Sequence, residues 1–139
     1  MKATRKAKED SRKEEIIEVA AKLFEKKGFR GTTCENIAKE MGFTKAAIYY
    51  HFDSKETILK EVNNRASRLF LENAKGIISS DLRPDEKLDK ILKSHIRMIL
   101  ENLTWISVFF RERRELPRKF SKSIFMSNKR YTELLRNVY

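Results

Sequence analysis

The sequence contains few of the residues that interrupt, bend or cross-link a chain. Its 139 residues include one Cys, two Pro and four Gly. The single cysteine, Cys34, cannot form an internal disulfide, which excludes a disulfide scaffold and favours a reducing compartment. So little Gly and Pro argues against a loop-rich sandwich, a collagen-like repeat or a flexible linker protein. The composition therefore favours a domain built mostly of regular secondary structure.

Long apolar runs are also missing. The longest strongly apolar run, Trp105 to Phe110, contains Ser107 and is far shorter than the roughly 20 residues that a membrane span needs. Residues 2–13 are polar throughout and lack the apolar segment of a secretory signal. We expect a cytoplasmic protein without a membrane partner.

Positive charge is in excess, but it is spread unevenly. Lys and Arg total 31 against 20 Asp and Glu, a net charge of +11. Residues 1–53 carry 12 basic and 9 acidic residues, a net of +3, whereas residues 54–139 carry 19 and 11, a net of +8. The first eight residues hold four basic side chains before any acid, which is typical of a solvated tail, with phosphate contact as the alternative. Net charge alone does not locate a nucleic-acid surface.

Apolar residues recur at helical spacing, and no segment shows a convincing strand alternation. The capping box of Ser11 and Glu14 predicts that the first helix begins at Ser11, and Gly28 ends it. A second capping box, Asp53 with Glu56, predicts a long helix that runs to about residue 78. The predicted fold class is all-α.

The rest of the chain also reads as helices. Residues 79–83 form the best linker, and Pro84 suits the first turn of the next helix. That helix has a broad apolar face made of Leu88, Ile91, Leu92, His95, Ile96, Ile99 and Leu100. Two further helices are predicted, from about Thr104 to before Pro117 and from about residue 118 to 139. The last pattern stops without a glycine or a polar cap, so we expect a helical core that is incomplete at its C-terminal end.

Two short helices separated by a glycine form a helix-turn-helix. Thr33 caps the helix Cys34–Met41, Gly42 tolerates the positive φ of the turn, and Thr44 caps the helix that runs from Lys45 to about His51. The second helix must be exposed on one side to enter a major groove about 12 Å wide. With Ile48 turned inward, its outer face is made of Lys45, Ala46, Tyr49, Tyr50 and His51. Lysine can donate to guanine, alanine can touch a thymine methyl group, and the tyrosine hydroxyls and imidazole can bind phosphates.

Residues 28–59 resemble the DNA-binding domain of TetR-family transcriptional regulators. The resemblance is carried by Thr32-Thr33, Asn36-Ile37-Ala38, Gly42-Phe43-Thr44, Ile48-Tyr49-Tyr50-His51-Phe52 and Lys55. It implies a three-helix helix-turn-helix domain, residues 1–53, joined by a long fourth helix to a ligand-binding and dimerising core within residues 54–139. It also implies roles in DNA binding. Thr33 and Tyr49 would bind phosphates, and Lys55 would contact the DNA backbone. The residues that would face bases or the adjacent backbone are Thr44, Lys45, Ala46 and Tyr50. His51 would contact either a base or a phosphate.

The function implied by the resemblance is that of a homodimeric repressor. It would bind a palindromic double-stranded DNA operator and be released by a small-molecule effector. The candidate effector-binding residues are Ile96, Trp105, Phe109 and Arg113, with an ordinary core role as the alternative for the apolar ones. The run from Arg111 to Pro117 resembles one in acyl-CoA-responsive regulators of lipid catabolism, which makes an acyl-CoA a candidate effector.

Two other classes of function compete with this interpretation. For an enzyme, the sequence offers no P-loop, no Gly-rich dinucleotide turn and no metal-ligand cluster, and its two His and one Cys are widely separated. We therefore expect no catalytic residue, metal or cofactor. A helical nucleic-acid or protein-interaction module without an effector is the alternative function.

Overall fold

The fold was analysed in a computed structural model, which describes residues 2–137 and, within them, all side chains except those of residues 2, 121, 123–125, 127 and 128. The described chain forms helices and turns without a strand, which confirms the all-α class. The helices are α1 (Lys2–Lys27), α2 (Cys34–Met41), α3 (Lys45–His51), α4 (Lys55–Ile78), α5 (Pro84–Glu101), α6 (Leu103–Glu112) and α7 (Arg118–Arg136), with a 3₁₀ turn at Arg113–Glu115. Within this part of the chain, no helix is both long and apolar enough to cross a membrane.

The N-terminal helices share one hydrophobic core with the start of α4. Phe24 of α1, Ile37 of α2, Ile48 of α3 and Leu59 of α4 are all fully buried in it. Burying a side chain of this size is worth about 1.5–3 kcal/mol relative to leaving it exposed. These contacts fix the positions of α2 and α3 relative to each other.

The first helix begins earlier than the sequence pattern predicts. The prediction that it begins at Ser11 is wrong, because α1 is continuous from Lys2 and Ser11 lies inside it. Residues 2–10 are mostly Ala, Lys, Arg and Glu, which are strong helix formers, so propensity outweighs the capping-box pattern. Two contacts hold this extension against the helix-turn-helix. Glu9 accepts a hydrogen bond from the Tyr50 hydroxyl at 3.3 Å, and the guanidinium of Arg12 lies 4.9 Å from the ring centre of Phe43.

The long helix α4 also begins with a cap other than the predicted one. Ser54, and not Asp53, is the residue before its first turn, and the Ser54 hydroxyl accepts a hydrogen bond from the Thr57 N–H at 3.2 Å. Serine and aspartate are about equally good caps, so the pattern alone does not choose between adjacent positions.

In the second half, α4 is the central helix and packs against α5, α6 and α7. Only part of the predicted apolar face of α5 is buried there. Ile91 is 2% exposed, whereas Leu92, Ile96 and Leu100 are 56%, 60% and 65% exposed. The broad apolar face that the sequence predicts for α5 is therefore only partly covered. The apolar stripe is wider than the strip that one neighbouring helix can cover, and α4 covers only the side that carries Ile91.

Candidate nucleic-acid surface and effector cavity

The turn between α2 and α3 has the geometry that the sequence predicts. Gly42 has φ of +66°, in the left-handed region, and a Cβ atom there would meet nothing within 4 Å. Conformation alone, and not space, therefore favours glycine at this position. The Phe43 N–H donates to the Ala38 carbonyl at 2.8 Å, and the Thr44 hydroxyl accepts from the Ala47 N–H at 3.2 Å. These bonds end α2 and start α3 within two residues of each other.

The outer face of α3 is exposed, although Tyr50 and Lys45 contact Glu9 and Glu35 on neighbouring helices. Ile48 is fully buried, while Lys45 and Ala46 are exposed and Tyr49 and Tyr50 are 44% and 68% exposed. Two adjacent aromatic side chains this exposed are unusual for a helix that only completes a core. Helix α3 therefore has an exposed, largely polar outer face, and its buried side chain fixes it to the core on the opposite face.

Four of the predicted DNA-binding side chains line one depression of about 380 Å³, between α3 and the N-terminal ends of α2 and α4. They are Thr33, Lys45, Tyr49 and Lys55. Thr33 caps α2: its hydroxyl accepts from the Asn36 N–H at 3.1 Å, and its own N–H donates to Asn36 Oδ1 at 2.9 Å. Helix N-terminal ends carry partial positive charge, which suits an anion.

Three acids line the same depression, and one of them already holds a predicted base-contacting side chain. Glu35, Asp53 and Glu56 are part of its lining, and Lys45 Nζ lies 3.1 Å from Glu35 Oε1. The hydrogen bond to Glu35, followed by its charge, raises the pKa of Lys45. The pKa of the Tyr49 hydroxyl is also raised, first by a hydrogen bond with the Cys34 thiol. Both groups therefore keep their protons at neutral pH, and both can act as donors to a nucleic acid.

Lys55 has internal contacts as well as an accessible position. Its Nζ donates to the Phe29 carbonyl at 2.7 Å and lies 4.1 Å from the centre of the Phe29 ring. An ammonium group has three donors, so this bond leaves others for a phosphate. The Phe29 contact holds Lys55 at the edge of the depression.

The remaining predicted side chains lie outside the depression. Thr44, Ala46 and Tyr50 are exposed at the start and on the outer face of α3. His51 is half-buried and lies on the side of α1, where Asp10 and Lys13 line the same groove. Its ring meets that of Tyr50 edge to face, with centres 4.9 Å apart.

The part that α1 plays in this surface was not predicted from the sequence. A helix that begins at Ser11 leaves out Glu9, which the structure places against Tyr50, and no sequence pattern indicated the contact of Arg12 with Phe43. The helix propensity of residues 2–10 is the signal that could have found this extension.

A second candidate site is a cavity of about 330 Å³ among α4, α5, α6, α7 and the 3₁₀ turn. Its described lining consists of Ser67, Phe70, His95, Ile99, Phe109, Phe110, Arg113 and Tyr131. Two of the four predicted effector residues, Phe109 and Arg113, are therefore brought together here. The other lining residues are not among the effector-binding residues predicted from the sequence. The sequence-based interpretation of His95 was a residue whose hydrogen bonds are satisfied between helices.

The two other predicted effector residues lie elsewhere. Ile96 is 60% exposed on the uncovered face of α5. Trp105 packs against the N-terminal core and borders a separate groove, and the Arg65 guanidinium lies 4.5 Å from its ring centre. The structure therefore does not bring these two residues to this cavity. The physical reason is that the rotation of α5 and α6 about their axes is set by packing on α4, which an apolar stripe this broad does not specify.

The polar part of the cavity is a histidine–tyrosine pair. The Tyr131 hydroxyl lies 3.0 Å from the ring nitrogens of His95, and the Phe70 ring meets His95 edge to face at 4.9 Å. Burial lowers the pKa of His95 and raises that of Tyr131. Both side chains are therefore neutral near pH 7.

A clamp made by Arg111 connects the cavity to the half of the chain that contains the helix-turn-helix. The guanidinium of Arg111 donates to the carbonyls of Phe24 and Glu25, near the end of α1, at 2.5 and 2.8 Å, and to Glu112 Oε1 at 2.9 Å. Glu112 itself is buried. A cation at the C-terminal end of a helix is favourable, because the last carbonyls there lack helical partners. Arg111 and Glu112 lie in sequence between the cavity residues Phe110 and Arg113, so a shift of this segment would be felt at both places.

Comparison with known proteins places these features in one family. The family model of bacterial regulatory proteins of the tetR family matches residues 16–62, and that of tetracyclin repressor-like C-terminal domains matches residues 81–139. The biofilm operon icaADBC HTH-type negative transcriptional regulator IcaR of Staphylococcus aureus is 49% identical over 49 residues, which are 35% of this chain and 26% of that protein. The chain thus matches about a quarter of the length of this curated relative.

Solved structures match over more of the chain. PfmR, a TetR family transcriptional regulator from Thermus thermophilus, is 30% identical with a TM-score of 0.82, over 88% of this chain and 67% of PfmR. AibR, crystallised in complex with isovaleryl coenzyme A and operator DNA, is 26% identical with a TM-score of 0.81, over 91% of this chain and 69% of AibR. The likeness covers both the helix-turn-helix and the helices around the cavity.

Proposed function

Because the chain belongs to the TetR family of bacterial transcriptional regulators, we propose that it is a ligand-responsive repressor. As a homodimer, it binds a palindromic DNA duplex through α2 and α3 and is released by a small molecule held in the cavity around Phe109 and Arg113. Residues 1–53 serve DNA binding, and residues 54–139 carry the connecting helix and part of the effector and dimerisation domain. The protein acts in the cytoplasm.

The observation that carries this proposal is the exposure of α3. Its buried residue Ile48 fixes the helix from one side, and Lys45, Ala46 and Tyr50 are open on the other. A helix presented in this way fits a major groove, where these side chains reach base edges or the adjacent backbone. In this arrangement, Thr44 at the start of α3 and His51 at its end lie beside the same major groove of the DNA.

The phosphate contacts follow from the depression beside α3. Thr33, Tyr49 and Lys55 line it together and supply neutral and charged donors. Contacts of this kind set the register of the protein on the duplex but carry no sequence information directly. They also make binding depend on salt, since each neutralised phosphate releases condensed counterions.

Repression is the sign of regulation that the relatives favour. IcaR is a negative transcriptional regulator, and its 49% identity to this chain is the highest among the relatives described above. The effector acts by changing the distance between the two recognition helices of the dimer, which must be about 34 Å apart to reach successive major-groove faces.

The clamp of Arg111 is the route from the cavity to the DNA. An effector that displaces Phe109 or Phe110 moves the segment that also holds Arg111 and Glu112. Because Arg111 is bonded to the end of α1, the movement is passed to the helix that supports α2 and α3. Coupling then needs no contact between effector and DNA.

An acyl-CoA is one candidate effector. AibR binds isovaleryl coenzyme A, and the exposed Arg113 in the cavity lining could meet a phosphate group. Release of DNA together with a higher melting temperature on adding an acyl-CoA would support it. No shift at saturating ligand would exclude it.

The proposed function is tested by fluorescence anisotropy of a labelled duplex over a range of salt concentrations. Lys55→Ala should weaken binding to every duplex and reduce the slope of log K against log salt by about one. Tyr49→Ala should also weaken binding, and circular dichroism checks that both variants remain folded. Lys90→Ala, which removes an exposed lysine of α5, is the matched control and should bind as the parent does.

The alternative, a helical interaction module without an effector, predicts other results. Binding that ignores salt, or that prefers single strands, would contradict the repressor. Sequence-selective duplex binding that no small molecule alters would support a module without an effector.

A further inference from the structure

The walls of the effector cavity are aromatic and aliphatic. Phe70, Ile99, Phe109 and Phe110 line it, and the rings of Phe109 and Phe110 meet edge to face at 5.2 Å. Its volume of about 330 Å³ is at the small end of the range for ligand pockets. A space of this size holds roughly ten water-sized groups. It therefore suits a small apolar molecule.

Apart from Arg113, the polar side chains that line the cavity are neutral near pH 7. The Tyr131 hydroxyl and the His95 ring bond to each other at 3.0 Å, so each already has a partner and each has one further hydrogen-bonding position. Ser67 adds a hydroxyl group. This part of the lining can orient a polar ligand group without selecting its sign of charge.

Charge selection comes from Arg113. It is the one charged side chain in the described lining, where no Asp or Glu is present. The two acids nearest to it in sequence are bonded to other arginines: Glu112 pairs with Arg111 and Glu115 pairs with Arg30, each at 2.9 Å. Among the described residues, Arg113 itself has no ion-pair partner. An exposed guanidinium at the edge of an apolar cavity is thus left with its positive charge unbalanced.

We propose that the effector is a small apolar monocarboxylate, whose carboxylate pairs with Arg113 and whose aromatic or branched body fills the space between Phe70 and Phe109. This assignment rests on the proposed ligand-responsive function and specifies the chemistry of its effector. A guanidinium binds a carboxylate through two parallel hydrogen bonds, which offsets the cost of removing the anion from water. The Tyr131–His95 pair keeps one donor after its own hydrogen bond, and this donor serves as a neutral partner for the same end of the ligand.

The cavity disfavours effectors that are cationic or that lack a negative charge at this end. A cationic effector would face Arg113 with no acid in the described lining to balance it. A coenzyme A thioester has a nucleotide part that is too large for the volume left beside the acyl group, so the nucleotide would have to lie outside the cavity. The thioester carbonyl is also neutral, so it would not supply the negative charge of a carboxylate. The free acid is the form that matches both the size and the charge.

The proposal is tested by isothermal titration calorimetry of the 139-residue chain with ligands that share one body. The probes are 3-phenylpropionate, 3-phenylpropanamide, 3-phenylpropylamine and 3-phenylpropionyl-coenzyme A, with isovalerate as a second carboxylate. The carboxylates should bind, and the amide should bind about tenfold or more weakly than 3-phenylpropionate, because it loses the charge-assisted bonds. The amine should not bind.

Two variants locate the carboxylate. Arg113→Gln should weaken 3-phenylpropionate about tenfold or more while leaving the amide unchanged. Arg114→Gln, which removes a neighbouring exposed arginine outside the cavity lining, should leave both ligands unchanged. Equal binding of acid and amide, binding of the thioester alone, or no binding by either carboxylate would overturn the proposal.

Failure of this inference and failure of the proposed function give different results. Anisotropy of a labelled duplex is measured on the same protein preparation. If duplex binding is selective and salt-dependent but neither carboxylate binds, only the effector class is wrong. If the duplex is not bound selectively, the proposed function is wrong whatever the calorimetry shows.

Discussion

Replacing Arg111 by Gln tests the link between the two halves of the chain. The guanidinium donates two hydrogen bonds to carbonyls at the end of α1 and one to Glu112. Hydrogen bonds to charged groups contribute about 1.5–3 kcal/mol when desolvated. The Arg111 side chain is 49% exposed, which reduces its share, but Glu112 is only 11% exposed and would lose its partner. We expect a loss of about 2–3 kcal/mol in the free energy of unfolding.

The assay is equilibrium unfolding in urea, followed by far-UV circular dichroism, with Arg114→Gln as the matched control. Replacing Glu112 by Gln in the Arg111→Gln background should restore part of the loss, because the buried carboxylate is removed with its partner. The Arg111→Gln protein should also bind DNA but respond less to an effector. A change in stability below about 0.5 kcal/mol, as for an ordinary surface substitution, would refute the clamp.

Three further predictions follow from the site geometry. Gly42→Ala should destabilise the fold by about 1–2 kcal/mol because φ is positive there. Gly76→Ala, in the last turn of α4 where a Cβ has open space, should stabilise it by about 0.5–1 kcal/mol; thermal melts that show the same sign for both would contradict this. Glu35→Gln should leave stability unchanged and tighten duplex binding about two- to tenfold, because it releases Lys45; weaker binding by anisotropy would show that Lys45 needs Glu35 for its position. Burial lowers the pKa of His95 in the fold, so its contribution to stability is full above the unfolded pKa of about 6.5 and is lost as the pH falls below it. His95→Gln should flatten this part of the pH profile in urea titrations, and an unchanged profile would exclude His95 as its source.

The helix-turn-helix could be predicted from the sequence because its signals are local. The caps Thr33 and Thr44 and the turn residue Gly42 act on neighbours only a few residues away, and both short helices have the predicted bounds. Local signals were not sufficient at the start of α1. There, Glu9 bonds to Tyr50, which is 41 residues distant in sequence.

The cavity could be predicted only in part, because it depends on how helices rotate against one another. Phe109 and Arg113 reach it, while Ile96 turns to the uncovered face of α5 and Trp105 packs toward α1. In the sequence, all four residues lie in apolar or basic stretches that show the same helical spacing. Which of them faces the cavity is decided by packing on α4, since a broad stripe is compatible with several rotations.

The central claim is that α3 reads a specific DNA duplex. The most direct test is selection of bound sequences from a random pool of duplexes, followed by an affinity measurement at fixed salt. We expect enrichment of an inverted repeat with half-sites about one helical turn apart, bound about a thousandfold or more tightly than a scrambled duplex. A pool that shows no enrichment, or a selected site bound no better than its scrambled control, would contradict it.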